Sequence, residues 1–175
     1  ADDDKVDVLE LEIDELCLDI LALRQPVASD LRYITMAMKI VRDLERMADI
    51  TVNICERVME LNEEPQLKPY VDLPRMADSV RAMVRDALDS LVRNDATLAG
   101  EVVARDEAVD AYCTQIFREL LTYMMEDPKN ITRALRIQAI AKHLERIGDH
   151  ATNLAELVFW NVKGKDIRHQ RHVKV

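Results

Sequence analysis

Glycine is nearly missing from this sequence: Gly100, Gly148 and Gly164 are the only three in 175 residues. Three dispersed glycines exclude a glycine-rich phosphate loop. Aromatic residues make up 4%, with Trp160 the single tryptophan. A β-protein of this length needs more turn glycines and more β-branched and aromatic residues. Also missing is any 18-residue apolar run, so no segment reads as a membrane-spanning helix. The start, Ala1-Asp-Asp-Asp-Lys5, is the opposite of a basic signal-peptide region. A basic surplus is absent as well: 24 Lys and Arg face 33 Asp and Glu, a net charge of −9. That balance argues against nucleic acid as a partner. Cysteines are few and odd in number. Cys17, Cys55 and Cys113 lie far apart at apolar-periodic positions, as small core residues of a reducing, cytosolic compartment do. No Ser or Cys has a His and an acid at a recognisable catalytic spacing, so the expectation is a protein that is not an enzyme.

What is present is helical. Apolar residues make up 49% and charged residues 33%, and Leu, Ala, Arg, Glu and Met are strong helix formers. Proline marks the joints: Pro26, the cluster Pro65, Pro69 and Pro74, and Pro128. Between joints the apolar residues recur at three and four. This spacing predicts a first helix ending before Pro26 and a second from an N-cap at Ser29 to about Asn62. A third follows Asp72 with Pro74 in its first turn. After a tight turn at Asn94-Asp95, a fourth runs to Glu126, and a fifth from near Asn130 to about Val162. Each has one apolar face, so the fold class is all-α and built of packed bundles.

The sequence is internally duplicated. Leu44-Glu-Arg-Met-Ala-Asp49 recurs as Leu144-Glu-Arg-Ile-Gly-Asp149, an offset of 100 residues, and Asn53 then matches Asn153. Asp3-Asp-Lys-Val-Asp7 pairs with Asp106-Glu-Ala-Val-Asp110 at an offset of 103. The unit is a helix, a proline joint and a second helix. Residues 73 to 93 supply a helix before the second unit, with no counterpart before the first. By the logic of the repeat, one N-terminal helix is lacking, and the stripe Val6, Leu9, Ile13, Leu16 and Ile20 lacks its antiparallel cover. The domain reading is an incomplete first repeat over 1–64, a complete second repeat over 65–163, and a basic tail over 164–175. If that N-terminal helix is absent, the uncovered apolar face leads to the expectation of a dimer or larger assembly.

Each unit repeats four carboxylates: Asp3, Asp7, Glu45 and Asp49, then Asp106, Asp110, Glu145 and Asp149. Every pair is spaced i, i+4, which puts both side chains on one helix face. The pairs sit on the shoulders of the apolar stripes, so helices that pack through those stripes bring them together. Four convergent carboxylates with Asn53 or Asn153 nearby form a hard, all-oxygen cation site. Arg42, Arg46, Lys142 and Arg146 lie close enough on the polar faces to neutralise the acids without a metal. His143 and His150 occur in the second unit only, at the places of Asp43 and Ile50.

Leu23-Arg-Gln-Pro-Val-Ala-Ser-Asp-Leu-Arg32, Asp43-Leu-Glu-Arg-Met-Ala-Asp49, Leu144-Glu-Arg-Ile-Gly-Asp-His-Ala-Thr-Asn153 and Lys163-Gly-Lys-Asp-Ile-Arg-His169 resemble the PhoU family along the whole chain. The resemblance implies two tandem three-helix bundles, here with the first helix missing, each ending in a helix with an E(D)xxxD motif. It implies multinuclear iron or zinc clusters on those motifs. The matching positions are Asp3, Asp7, Glu45, Asp49 and Asn53, then Asp106, Asp110, Glu145, Asp149 and Asn153. It further implies a cytoplasmic accessory protein of the phosphate-specific ABC transporter that represses phosphate-starvation signalling. The partners expected are the transporter's nucleotide-binding subunit and a sensor histidine kinase, with attachment to the membrane only through them and no phosphate bound by the chain itself. The first motif departs from the second, Met47-Ala-Asp-Ile50 against Ile147-Gly-Asp-His150. Two other readings stand beside this one. A ferritin-like di-iron protein uses Glu-x-x-His ligands, and the sequence has none. A metal-independent helical scaffold is the other.

Overall fold

Three of the four joints between helices carry proline, and the α3–α4 joint is the Asn94-Asp95 turn. The computed structural model describes residues 3–164, with the side chains from Asp4 onward. It contains five α-helices: α1 Asp3–Arg24, α2 Ser29–Asn62, α3 Asp72–Arg93, α4 Ala96–Glu126 and α5 Ile131–Lys163, with a short 3-10 turn at Pro128–Asn130. No strand occurs among the described residues. The stretch from 165 to 175, which holds most of the basic tail, lies outside them, as does the Asp3 side chain.

The ends show why each helix stops. Asn94 takes the left-handed conformation, φ 51°, and closes α3, and Asp95 then accepts from the backbone N–H groups of Thr97 and Leu98 to cap α4. Asp127 caps the 3-10 turn through the Lys129 N–H at 2.9 Å. Gly164, φ 66°, ends α5 where a side chain is disfavoured. The expected Ser29 cap is not formed. Ala28 holds the N-cap position of α2 and Ser29 is already helical, its hydroxyl turned to Asp30. The joint before it turns through Gln25, φ 45°, and Ala28, φ 49°, and this leaves Ser29 a residue too late to cap.

α3, α4 and α5 pack on one another as a three-helix bundle. α2 lies along α5, and α1 packs on α2. The core follows helical spacing: Met76, Val80, Met83 and Ala87 from α3, Val102, Val109, Cys113, Ile116 and Leu120 from α4, and Ile137, Ala141, Leu154 and Val158 from α5 are buried. From α2, Met36, Ile40, Met47 and Ile50 join the same core. The linker between α2 and α3 is fastened to the second bundle. Lys68 is buried against Glu119, and Arg133 donates to the Pro65 carbonyl at 2.9 Å. α1 is covered on one side only. Cys17 is buried, whereas Leu11, Leu16 and Leu23 stay 67%, 60% and 78% exposed.

Candidate metal-binding carboxylates

The second unit supplies the denser cluster. α4 and α5 pack along their stripes and bring Asp106 and Asp110 to the flank of α5 that carries Glu145 and Asp149. Asp106 is buried, and the Thr152 hydroxyl donates to its Oδ1 at 3.1 Å. Asp149 keeps an open edge, yet the packed atoms at its base remove water. That desolvation, followed by the charges of Asp106, Asp110 and Glu145, raises its carboxyl above the usual range, against a smaller opposing pull from His150. Three acids from two helices therefore act on a fourth. Lys142 donates to Glu145, and this bond lifts the ammonium above its ordinary value.

The first unit is thinner. Desolvation raises the Glu45 carboxyl, and Asp49 and Glu10 add to it while Arg46 opposes. Arg46 spans this pair, 3.6 Å from Glu45 and 3.7 Å from Asp49. Asp7 lies exposed on α1. The α1 acid that acts on Glu45 is Glu10, which the sequence reading did not single out. The repeat held the signal: at an offset of 103, Glu10 corresponds to Cys113. Cys113 is buried beside Glu145, with the Gln138 amide 3.8 Å from its sulfur, and desolvation, then Glu145, pushes its thiol up. One position of the repeat thus faces the first motif acid in both units, as a carboxylate in one and a thiol in the other.

The two asparagines are placed differently. Asn53 donates to the Asp49 carbonyl of its own helix at 2.8 Å. Asn153 lines a recess that α5 forms with α2. His150, also in that recess, sets Nδ1 2.8 Å from Asp43 Oδ1.

The donor set fits a hard or borderline cation in chemistry: carboxylates from two helices, of which Asp149 is destabilised as an anion by the others, with a thiol at the edge. Among the described residues, no three such side chains stand in ready-made coordinating positions.

A family model described as the PhoU domain matches residues 1–58 and 73–158. A "Phosphate-specific transport system accessory protein PhoU homolog" from Pseudomonas putida is 48% identical over 95% of this chain. The chain spans 66% of that relative's length. A relative with the same description from Aquifex aeolicus is 46% identical over 98% of the chain and 77% of its own length. The crystal structure of PhoU from Pseudomonas aeruginosa matches with a TM-score of 0.90 at 46% identity, covering 93% of this chain and 78% of that one. The phosphate transport system regulatory protein PhoU from Streptococcus pneumoniae matches with a TM-score of 0.83 at 26% identity, covering 94% and 77%. With these matches along nearly its whole length, the chain belongs to the PhoU family.

Proposed function

We propose that this chain is a regulatory adaptor of a phosphate transport system, which represses phosphate uptake and phosphate-starvation signalling in the cytoplasm. The observation that carries the reading is the kinship just described, with relatives named as accessory proteins of phosphate-specific transport. The adaptor acts by binding rather than by catalysis. Its partners are the nucleotide-binding subunit of the phosphate ABC transporter and a sensor histidine kinase, with a second copy of the chain on the exposed face of α1. The net charge of −9 steers it toward basic patches on such partners, and association weakens with salt.

In the same reading, the motif carboxylates hold iron or zinc. Asp106, Asp110, Glu145 and Asp149 hold the cation in the second unit, and Glu45 and Asp49 with the α1 acids hold it in the first. A bound cation supplies positive charge that relieves the repulsion among these acids and ties α4 to α5. The raised Asp149 carboxyl supports this assignment. The functional test is a starvation-gene reporter in a deletion strain grown with abundant phosphate. The expected result is a reporter switched on, and repression restored by the gene. Normal repression in the deletion strain, with no second copy present, overturns the regulatory reading. Metal analysis of protein purified without chelator separates it from the metal-independent scaffold.

A further inference from the structure

We propose that the seam between α2 and α5 binds a small oxyanion of the phosphate class. A recess of about 430 Å³ opens there. Its α2 wall carries Lys39, Arg42 and Arg46, spaced i, i+3 and i+7, so that three cations share one helix face. Its α5 wall carries His150, Asn153 and Leu157, of which the Asn153 amide can donate and Leu157 gives an apolar floor. The one acid in the recess, Asp43, is already engaged by His150 at 2.8 Å. Among the described residues, neither Lys39 nor Arg42 forms an ion pair. Glu10 and Asp14 border both of them in a second recess on the α1 side, close enough to attract without pairing. Arg46 is shared with Glu45 and Asp49 at 3.6 and 3.7 Å, distances that leave its fork free to turn.

The duplication supplies an internal comparison. At an offset of 100, the counterparts of Lys39, Arg42 and Arg46 are Ala139, Lys142 and Arg146, and Leu157 becomes Arg57. There Lys142 is held by Glu145, and Arg57 by Glu60 at 2.8 Å. Among the described residues, two of the three cations of that seam, Lys142 and Arg57, are neutralised within the protein and Arg146 is not, whereas in the α2 wall Arg46 alone has carboxylate partners. Guanidinium groups match the geometry of a tetrahedral oxyanion. The remaining acidic surface repels an extended polyanion such as nucleic acid, so a small ion is the ligand that fits. The sequence gives no hint of this, because the usual signal is a glycine-rich loop, and here side-chain cations from one helix do the work. The site departs from the expectation that the chain itself binds no phosphate; it stands apart from the adaptor reading and needs no partner protein.

The test is calorimetric titration of inorganic phosphate into the full chain, with ionic strength fixed by potassium chloride. One saturable site is expected in the wild type. It should weaken at least tenfold in Lys39→Gln/Arg42→Gln and stay unchanged in Arg57→Gln. No saturable binding by the wild type, or equal binding by the double variant, overturns the proposal. Circular dichroism checks the fold of the variant. If the variant unfolds, phosphate-induced NMR shifts in the wild type decide: movement of the His150 ring and the Asn153 amide supports the site, and movement confined elsewhere overturns it.

Discussion

Asp43 on α2 and His150 on α5 stand 107 positions apart in sequence, and they meet at 2.8 Å between Oδ1 and Nδ1. The contact is not duplicated. One repeat on, the same positions hold His143 and Ile50, and the Nδ1 of His143 is buried without a partner. The two seams of a duplicated fold have therefore diverged, one gaining a polar clasp and the other a stranded nitrogen. Breaking the clasp is expected to cost about 1 kcal/mol, the net worth of a part-buried hydrogen bond. Urea unfolding of His150→Ala, Asp43→Ala and the double variant should give a coupling energy of that size. His143→Leu should be neutral or stabilising, because it removes an unsatisfied polar atom. A loss above 2 kcal/mol there would contradict the assignment.

The carboxylates make a prediction whose sign is fixed by their neighbours. Asp149 and Glu45 hold their protons more tightly when folded than when unfolded. Each thus contributes stability that is fully present below its unfolded pKa and is lost as pH rises through the folded one. At neutral pH without metal, Asp149→Asn should stabilise the protein by a few tenths of a kcal/mol, roughly the cost of one like-charged i, i+4 pair. The gain should vanish in acid. With zinc or ferrous iron the order should reverse, since a ligand at a hundredfold its Kd adds about 2.7 kcal/mol to the wild type. Thermal unfolding with and without metal checks both arms. A variant that gains as much from metal as the wild type removes Asp149 from the ligand set.

The thiols should differ sharply in reactivity. Cys55 is exposed, and Cys17 and Cys113 are buried. Desolvation raises both buried thiols, with Asp14 acting on Cys17 and Glu145 on Cys113. Thiolate is the reactive form, so a thiol reagent at pH 8 should label one cysteine rapidly in the folded protein and three in denaturant. Rapid labelling of Cys113 would show that the α4–α5 seam is more open than its packing indicates.

Much of this could be read in the sequence because helices announce themselves locally. The prolines, the Asn94-Asp95 turn and the three-four spacing set the elements, and the two offsets of 100 and 103 exposed the duplication. The carboxylates of α4 and α5 were legible for the same reason, since a helix fixes which side chains share a face. What escaped depends on how helices meet. Glu10 acts on Glu45 through the packing of α1 on α2, and its correspondence to Cys113 in the repeat marks the position without marking a carboxylate there. Asn153 matched Asn53 in sequence, yet it lines the α2 seam while Asn53 bonds its own helix. Ser29 was a plausible cap by residue type, but the backbone at Ala28 fixes the entry to α2. Lys68 is a lysine in a linker, and only tertiary packing could have shown it buried against Glu119.

The exposed side of α1 gives the last prediction. Leu9, Leu16 and Leu23 follow helical spacing and remain largely in solvent, while Ile13 and Cys17 on the flank turned toward α2 are more covered. Contiguous apolar surface of this kind drives association in water. A symmetric dimer would bury each leucine twice, at about 1.5–3 kcal/mol for every side chain fully covered. Leu9→Lys/Leu16→Lys removes four such burials from the pair and sets like charges near one another. The expected result is association of the wild type with rising concentration in sedimentation velocity, weakened at least tenfold in the double variant. Both positions point away from α2, so the helical signal in circular dichroism should be unchanged. A wild-type chain that stays monomeric at high concentration would rule out a second copy on this face.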